Sequence, residues 1–74
     1  MTASLGDICT YHIEVLDRVG EVDVNATSPV SMTVSQILPQ STRLALRADQ
    51  AGLIGALRHL HQQGFVLLSV QRGA

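Results

Sequence analysis

The stretch DQAGLIGALRHLHQQG, residues 49–64, constrains the fold most, because both its ends and its inner face can be read from residue types. Leu53, Leu57 and Leu60 fall at i, i+4 and i+7 on one side of a helix, and Ile54 and Ala56 widen that stripe. Asp49 is suited to accept the free amide hydrogens of a first turn. Gly64 stands where a left-handed residue ends a helix. These residues predict a helix over 50–63. A leucine stripe must be covered, and no second stripe of comparable length exists in the 74 residues, so the covering surface has to be a sheet.

Strand patterns are present to supply it. Residues 8–16, ICTYHIEVL, alternate, with Cys9, Tyr11, Ile13 and Val15 on one face and Thr10, His12 and Glu14 on the other. SMTVSQI (31–37) alternates with Met32 and Val34 together, and TRLALRA (42–48) places Leu44 and Leu46 inward against Arg43, Ala45 and Arg47 outward. The short link containing Pro39 makes these two a hairpin. FVLLSVQR (65–72) is apolar on both faces, Val66, Leu68 and Val70 on one and Phe65 and Leu67 on the other. Such a strand is expected at the centre of a sheet, or covered on its second face by a partner. With the helix before it and the strand at 42–48, it reads as a right-handed strand–helix–strand unit, provided the two strands are parallel. Residues 17–30, DRVGEVDVNATSPV, are poor in helix formers and read as a loop with a possible edge strand at EVDVNA, where the acids would blunt the edge. Residues 1–7 are small and polar and are expected to fray.

The result is a single α+β domain spanning 1–74. Its sheet has four or five strands, one main helix lies on one face, and a first helix is missing or vestigial. Aromatic residues are limited to Tyr11 and Phe65, and a core of aliphatic side chains on so short a chain contributes only about 3–5 kcal/mol net. Covering a second apolar face with another copy would add to this, so a homodimer is expected, with Phe65, Leu67, Arg43 and Ala45 at the interface.

Charge and cysteine usage narrow the partners. The formal charge is −1 and all five basic residues are arginine, which gives no reason to expect nucleic acid or an anionic membrane. Arg43 and Arg47 share a strand side and read as a solvated face. Cys9 is the only cysteine, so no internal disulfide forms and a reducing cytoplasm is the expected compartment. No secretory signal is read in MTASLGDICTYH, and no apolar run approaches the ~20 residues that span a bilayer.

Nothing assembles into a catalytic or metal site. His59 and His61 lie about 200° apart on a helix, too far round for one ion. His61 is expected at the edge of the core and His59 in solvent. Cys9 is expected to face inward as a small hydrophobe, no serine stands in a nucleophile context, and Asp49 is a cap. No cofactor is implied and no enzymatic activity is expected. Gly52 and Gly55 lie off the leucine stripe, where each costs roughly 1 kcal/mol against alanine unless another backbone approaches closely. A partner over the helix would conflict with one over the sheet.

Two resemblances follow from these residues. Asp49, Gln50, Ala51, Leu53, Gly55, Leu57, Arg58, Leu60, Gly64, Leu67, Leu68, Ser69 and Val70 resemble the D-Q-A-x-L-x-G-L-L-R-x-L-x-x-L-G-x-x-L-L-S-V ending of a family of small, uncharacterised bacterial proteins. Ala56 stands where leucine is usual, and the match covers about the last third of the chain. That family implies no activity. DQAGLI at 49–54 and DRVG at 17–20 are also similar to the D-x-x-G-L start of ACT regulatory domains, although the first helix of that fold is not visible after Gly20. ACT domains have a ferredoxin-like fold, pair through sheets or edges and bind small ligands near the glycine loop. The resemblance therefore implies ligand contacts from Asp17, Gly20, Asp49 and Gly52. Three functions remain open: a non-enzymatic, self-associating interaction module whose role is set by a protein partner, an ACT-like sensor of a small molecule, and a small enzyme, which would need a pocket with convergent polar groups.

Overall fold

A computed structural model of the chain describes residues 7–73. The elements run β1 (Cys9–Leu16), α1 (Glu21–Asn25), β2 (Thr33–Ile37), β3 (Ser41–Ala48), α2 (Gln50–Gln62) and β4 (Leu67–Arg72). The four strands form one sheet in the order β2-β3-β1-β4, with every neighbouring pair antiparallel. It follows that β1 and β2 are parallel, as are β3 and β4, and that each helix connects parallel strands across one intervening strand. The strand–helix–strand unit expected over 42–72 is thus a split one, with β1 inserted between its strands.

The alternation of β1 and β3 determines where the core lies. Their eight-rung ladder pairs Tyr11 with Leu46, Ile13 with Leu44 and Cys9 with Ala48. On this side Tyr11, Ile13, Val15, Leu44, Leu46 and Ala48 are all buried, joined by Val24 of α1, Met32, and Leu53, Ala56 and Leu60 of α2. Both helices therefore lie on one face. Arg43, Ala45 and Arg47 point to the other face, as their spacing predicts. Val34 lies against the core, paired with Leu44 in the β2–β3 hairpin.

The caps of α2 are where the residue types place them. The Asp49 carboxylate accepts from Gly52 N at 2.7 Å, and Gly64 adopts φ +90 just beyond the helix. The first half of the chain departs from expectation. Residues 17–30 hold neither an edge strand nor a plain loop but the five-residue helix α1, which begins directly after Gly20. A helix this short is not stable on local propensity. It is held by burial of Val24 and by Asn25, whose side-chain amide donates to Met32 O at 2.8 Å while its oxygen accepts from Met32 N at 2.7 Å.

This helix also corrects the two histidines. His59 is buried and His61 exposed, the reverse of the helical projection, because α1 covers the flank on which His59 lies. His59 Nε2 donates to the Val24 carbonyl at 3.2 Å, so the imidazole bridges the helices with its polar atom satisfied. The glycines of α2 face the same neighbourhood. A Cβ at Gly52 would sit 2.9 Å from Ala48 Cβ and 3.6 Å from Val30 Cγ1, and one at Gly55 would sit 3.6 Å from Pro29. The tight approach is at Gly52, from Ala48 and Asp49 at the start of the same helix, while Val30 and Pro29 make ordinary contacts with the two glycines.

The final strand is corrected twice. β4 is an edge strand, not a central one. Part of its face assignment also changes: Phe65 and Leu67 are packed against the core, as is the side on which Val70 stands opposite buried Ile13, while Val66, Leu68 and Val70 are exposed at 52%, 49% and 42%. Two causes combine. Phe65 N–H bonds to Leu60 O as the chain leaves α2, which draws Phe65 under the end of the helix. A register shift between Glu14 and Val15 then pairs Val15 with Leu67 but Ile13 with Val70. The extra residue breaks the two-residue period on which the face assignment rests. The expected fraying of residues 1–7 falls on 1–6, outside the described residues; Asp7 is exposed.

Candidate functional site

The ACT-like resemblance points to Asp17, Gly20, Asp49 and Gly52, and the strand register separates them into two pairs. Leu16, next to Asp17, pairs with Ser41, whereas Ala48, next to Asp49, pairs with Cys9. The two pairs thus stand at opposite ends of the β1–β3 ladder, about 24 Å apart at the roughly 3.4 Å rise of an antiparallel strand. Each has a local structural task. Asp17 adopts φ 73, donates its N–H to Gln40 O at 2.8 Å and accepts from Thr42 Oγ1 at 2.9 Å. Thr42 Oγ1 also accepts from Val19 N at 2.9 Å, which fixes the loop into α1. The Gly20 carbonyl accepts from Asp23 N and Val24 N. Asp49 and Gly52 form the cap of α2.

The expected interface residues divide as well. Phe65 and Leu67 are on the core side, and Arg43 and Ala45 are on the uncovered face of the sheet. That face is polar. Arg43 pairs across the ladder with Glu14, with Nη2 3.3 Å from Oε1, and Nη1 donates to Gln36 Oε1 at 3.2 Å. His12, Ser69 and Gln71 complete the central patch. The premise of a second apolar face needing cover is therefore corrected. Cys9 faces inward and is half-buried, and Arg72 Nη2 donates to its Sγ at 3.0 Å. Among the described residues no cluster of three or more His, Cys, Asp or Glu is placed to hold a metal ion. None of their helices is long and apolar enough to cross a membrane.

The two edges of the sheet are treated differently. β2 carries a bulge between Val34 and Gln36, and α1 stands along its outer side. Glu21 and Asn25, four residues apart and so on one face of α1, reach the β2 backbone. Asn25 engages both the N–H and the C=O of Met32, and Glu21 Oε2 accepts from Val34 N at 3.0 Å. These side chains occupy positions that a further strand would need. Pro39 lies in the turn to β3 and not on this edge. A bulge, a covering helix and side chains bonded to the outward backbone are devices by which an edge is closed to pairing.

β4 has few of these. Its bulge lies at the start, beside Leu67 and Leu68, and leaves Ser69–Arg72 regular. Gly73 N donates to Thr10 O at 2.7 Å. In an antiparallel ladder the backbone groups of alternate residues point to the neighbour, so Gln71 and Ser69 face β1 while Val70 and Arg72 face outward. From Phe65 to Gln71 the segment carries neither charge nor proline. Above it, Leu57, Arg58, His61, Gln62 and Leu67 line an open depression of about 420 Å³ between α2 and β4. Sequence reasoning missed Glu21 and Asn25 as guards, because nothing in the residue order tells that α1 lies along β2. It could have marked β4 from its missing charges.

No family model, curated protein or solved structure matches the chain.

Proposed function

We propose that this chain is a ferredoxin-like, non-enzymatic interaction module that works by adding a strand at its β4 edge. The single observation that carries this reading is the asymmetry of the edges: α1 side chains occupy the outward backbone of β2, while Val70 and Arg72 present theirs uncovered beside exposed Val66, Leu68 and Val70. The ferredoxin-like assignment is supported by the order β2-β3-β1-β4 and by the two crossovers that each skip a strand. Strand addition suits such a surface, since main-chain hydrogen bonds supply affinity and alternate side chains supply selectivity.

The test is a two-dimensional NMR titration of dilute protein with an uncharged Val/Thr-alternating hexapeptide flanked by lysines, a generic strand probe. Shift changes confined to residues 66–72 are the expected result. Changes centred on Thr33–Ile37, or none at millimolar peptide, would overturn the reading.

A further inference from the structure

We infer that the strand added at β4 is the β4 of a second copy, paired antiparallel about a two-fold axis through Val70; this rests on the strand-addition reading above. The register follows from which β4 backbone groups point away from β1. Val70 faces outward, so two copies of it can exchange a reciprocal pair of N–H···O bonds across the axis. Leu68 then lies opposite Arg72 of the other copy, and Ser69 opposite Gln71. Placing the axis at Val70 keeps Ser69–Arg72 of the overlap in the regular part of the strand, with Leu68, at the bulge, as its last residue.

Three observations select a second copy over another partner. An isologous contact requires a surface that complements itself. The overlap meets this: Val70 faces Val70, Ser69 faces Gln71 and Arg72 faces the uncharged Leu68, and the two Arg72 side chains are offset by about 14 Å along the strands, beyond a Debye length of about 8 Å. Arg72 is moreover held back toward its own Cys9. Second, the assembly closes. With β4 consumed, the joined eight-stranded sheet ends on two β2 edges already occupied by Glu21 and Asn25, so growth stops at two chains. Third, the area fits a weak dimer. Five residues at roughly 3.4 Å each, over a sheet-plus-helix depth of about 20 Å, give a footprint of about 350 Å² per copy. That is well under the about 800 Å² of a standard interface.

Sedimentation equilibrium on the full chain tests this, with weak, reversible self-association expected below millimolar concentration. Val70→Lys, on a side chain 42% exposed, places two like charges at the axis and is expected to weaken association at least about tenfold. Val70→Pro removes the outward donor without touching a bond to β1 and should do the same. Val22→Lys, on the most exposed apolar residue and away from β4, should leave association within about twofold. Circular dichroism establishes that each variant is folded, and if one is not, the other decides. A strict monomer up to millimolar concentration overturns the dimer, as does wild-type affinity in both Val70 variants. If the strand probe still binds residues 66–72 of a strict monomer, the dimer alone falls. If the probe fails while Val70-dependent dimers form, the generic strand-binding reading is the part that falls.

Discussion

The two halves of this small sheet are held by different means. On the β2 side a helix of five residues is tied down by polar side chains, with Asn25 and Glu21 bonded to the β2 segment and Thr42 to the loop before α1. On the β4 side a helix of thirteen residues is held by its apolar stripe, and the strand beneath it is an edge strand whose outward backbone is met by no side chain like Glu21 or Asn25 among the described residues. The difference teaches that a structural helix can also act as an edge guard. The side that spends its side chains on backbone groups is closed to other strands, and the side that relies on burial stays open.

Removing one apolar anchor from the β4 half has the largest expected effect. Leu60 is fully buried, and Leu60→Ala should cost about 3 kcal/mol in urea denaturation without changing where the strand probe binds. On the polar half, Asn25→Ala strips three hydrogen bonds, two of them to Met32, and is expected to cost about 2 kcal/mol. A loss below about 0.5 kcal/mol would mean that water replaces Asn25 at no cost and that the guard is not structural.

How much of this division was legible in the sequence depends on distance along the chain. Asp49, Gly64 and the leucine stripe define α2 through contacts within a few residues, and Leu44 and Leu46 set the β3 face by simple alternation. α1 could not be read, because Val, Asp and Asn disfavour a helix locally and its stability comes from Met32 and Val24 contacts made after folding. His59 was misplaced because α1 was missing from the projection. Phe65 and Leu67 were placed on the wrong face because one bulge residue shifts the count. Gly52 and Gly55 read either as the mark of another backbone's close approach or as glycines near a helix cap; the tight neighbours of Gly52 are Ala48 and Asp49 at the start of its own helix, and Pro29 meets Gly55 at an ordinary contact distance. The ligand residues implied by resemblance were identified by type, and only the antiparallel register shows that they lie at two ends of the sheet.

That close approach gives a smaller effect with an informative sign. Helix propensity alone makes Gly52→Ala stabilising by about 1 kcal/mol, whereas a Cβ 2.9 Å from Ala48 Cβ and 3.2 Å from Asp49 Oδ1 should reverse this to a loss of about 1 kcal/mol. Thermal unfolding reads the sign, and a raised midpoint would contradict the tight seam. The smallest effect on stability is expected from Glu21→Ala, under about 0.5 kcal/mol because the bond is exposed. Its effect on assembly should be clear, since unmasking Val34 N–H opens the second edge. Light scattering should then show species larger than dimers at high concentration, and none for the parent protein.

Amide hydrogen exchange, residue by residue and at two protein concentrations, tests the asymmetry of the edges most directly. In dilute solution Val70 and Arg72 should exchange rapidly while Ser69, Gln71 and Met32 are protected, and on concentrating the protein Val70 should become protected with Met32 unchanged. Protection of Val70 and Arg72 already at the lowest concentration, or rapid exchange at Met32, would contradict an open β4 and a guarded β2.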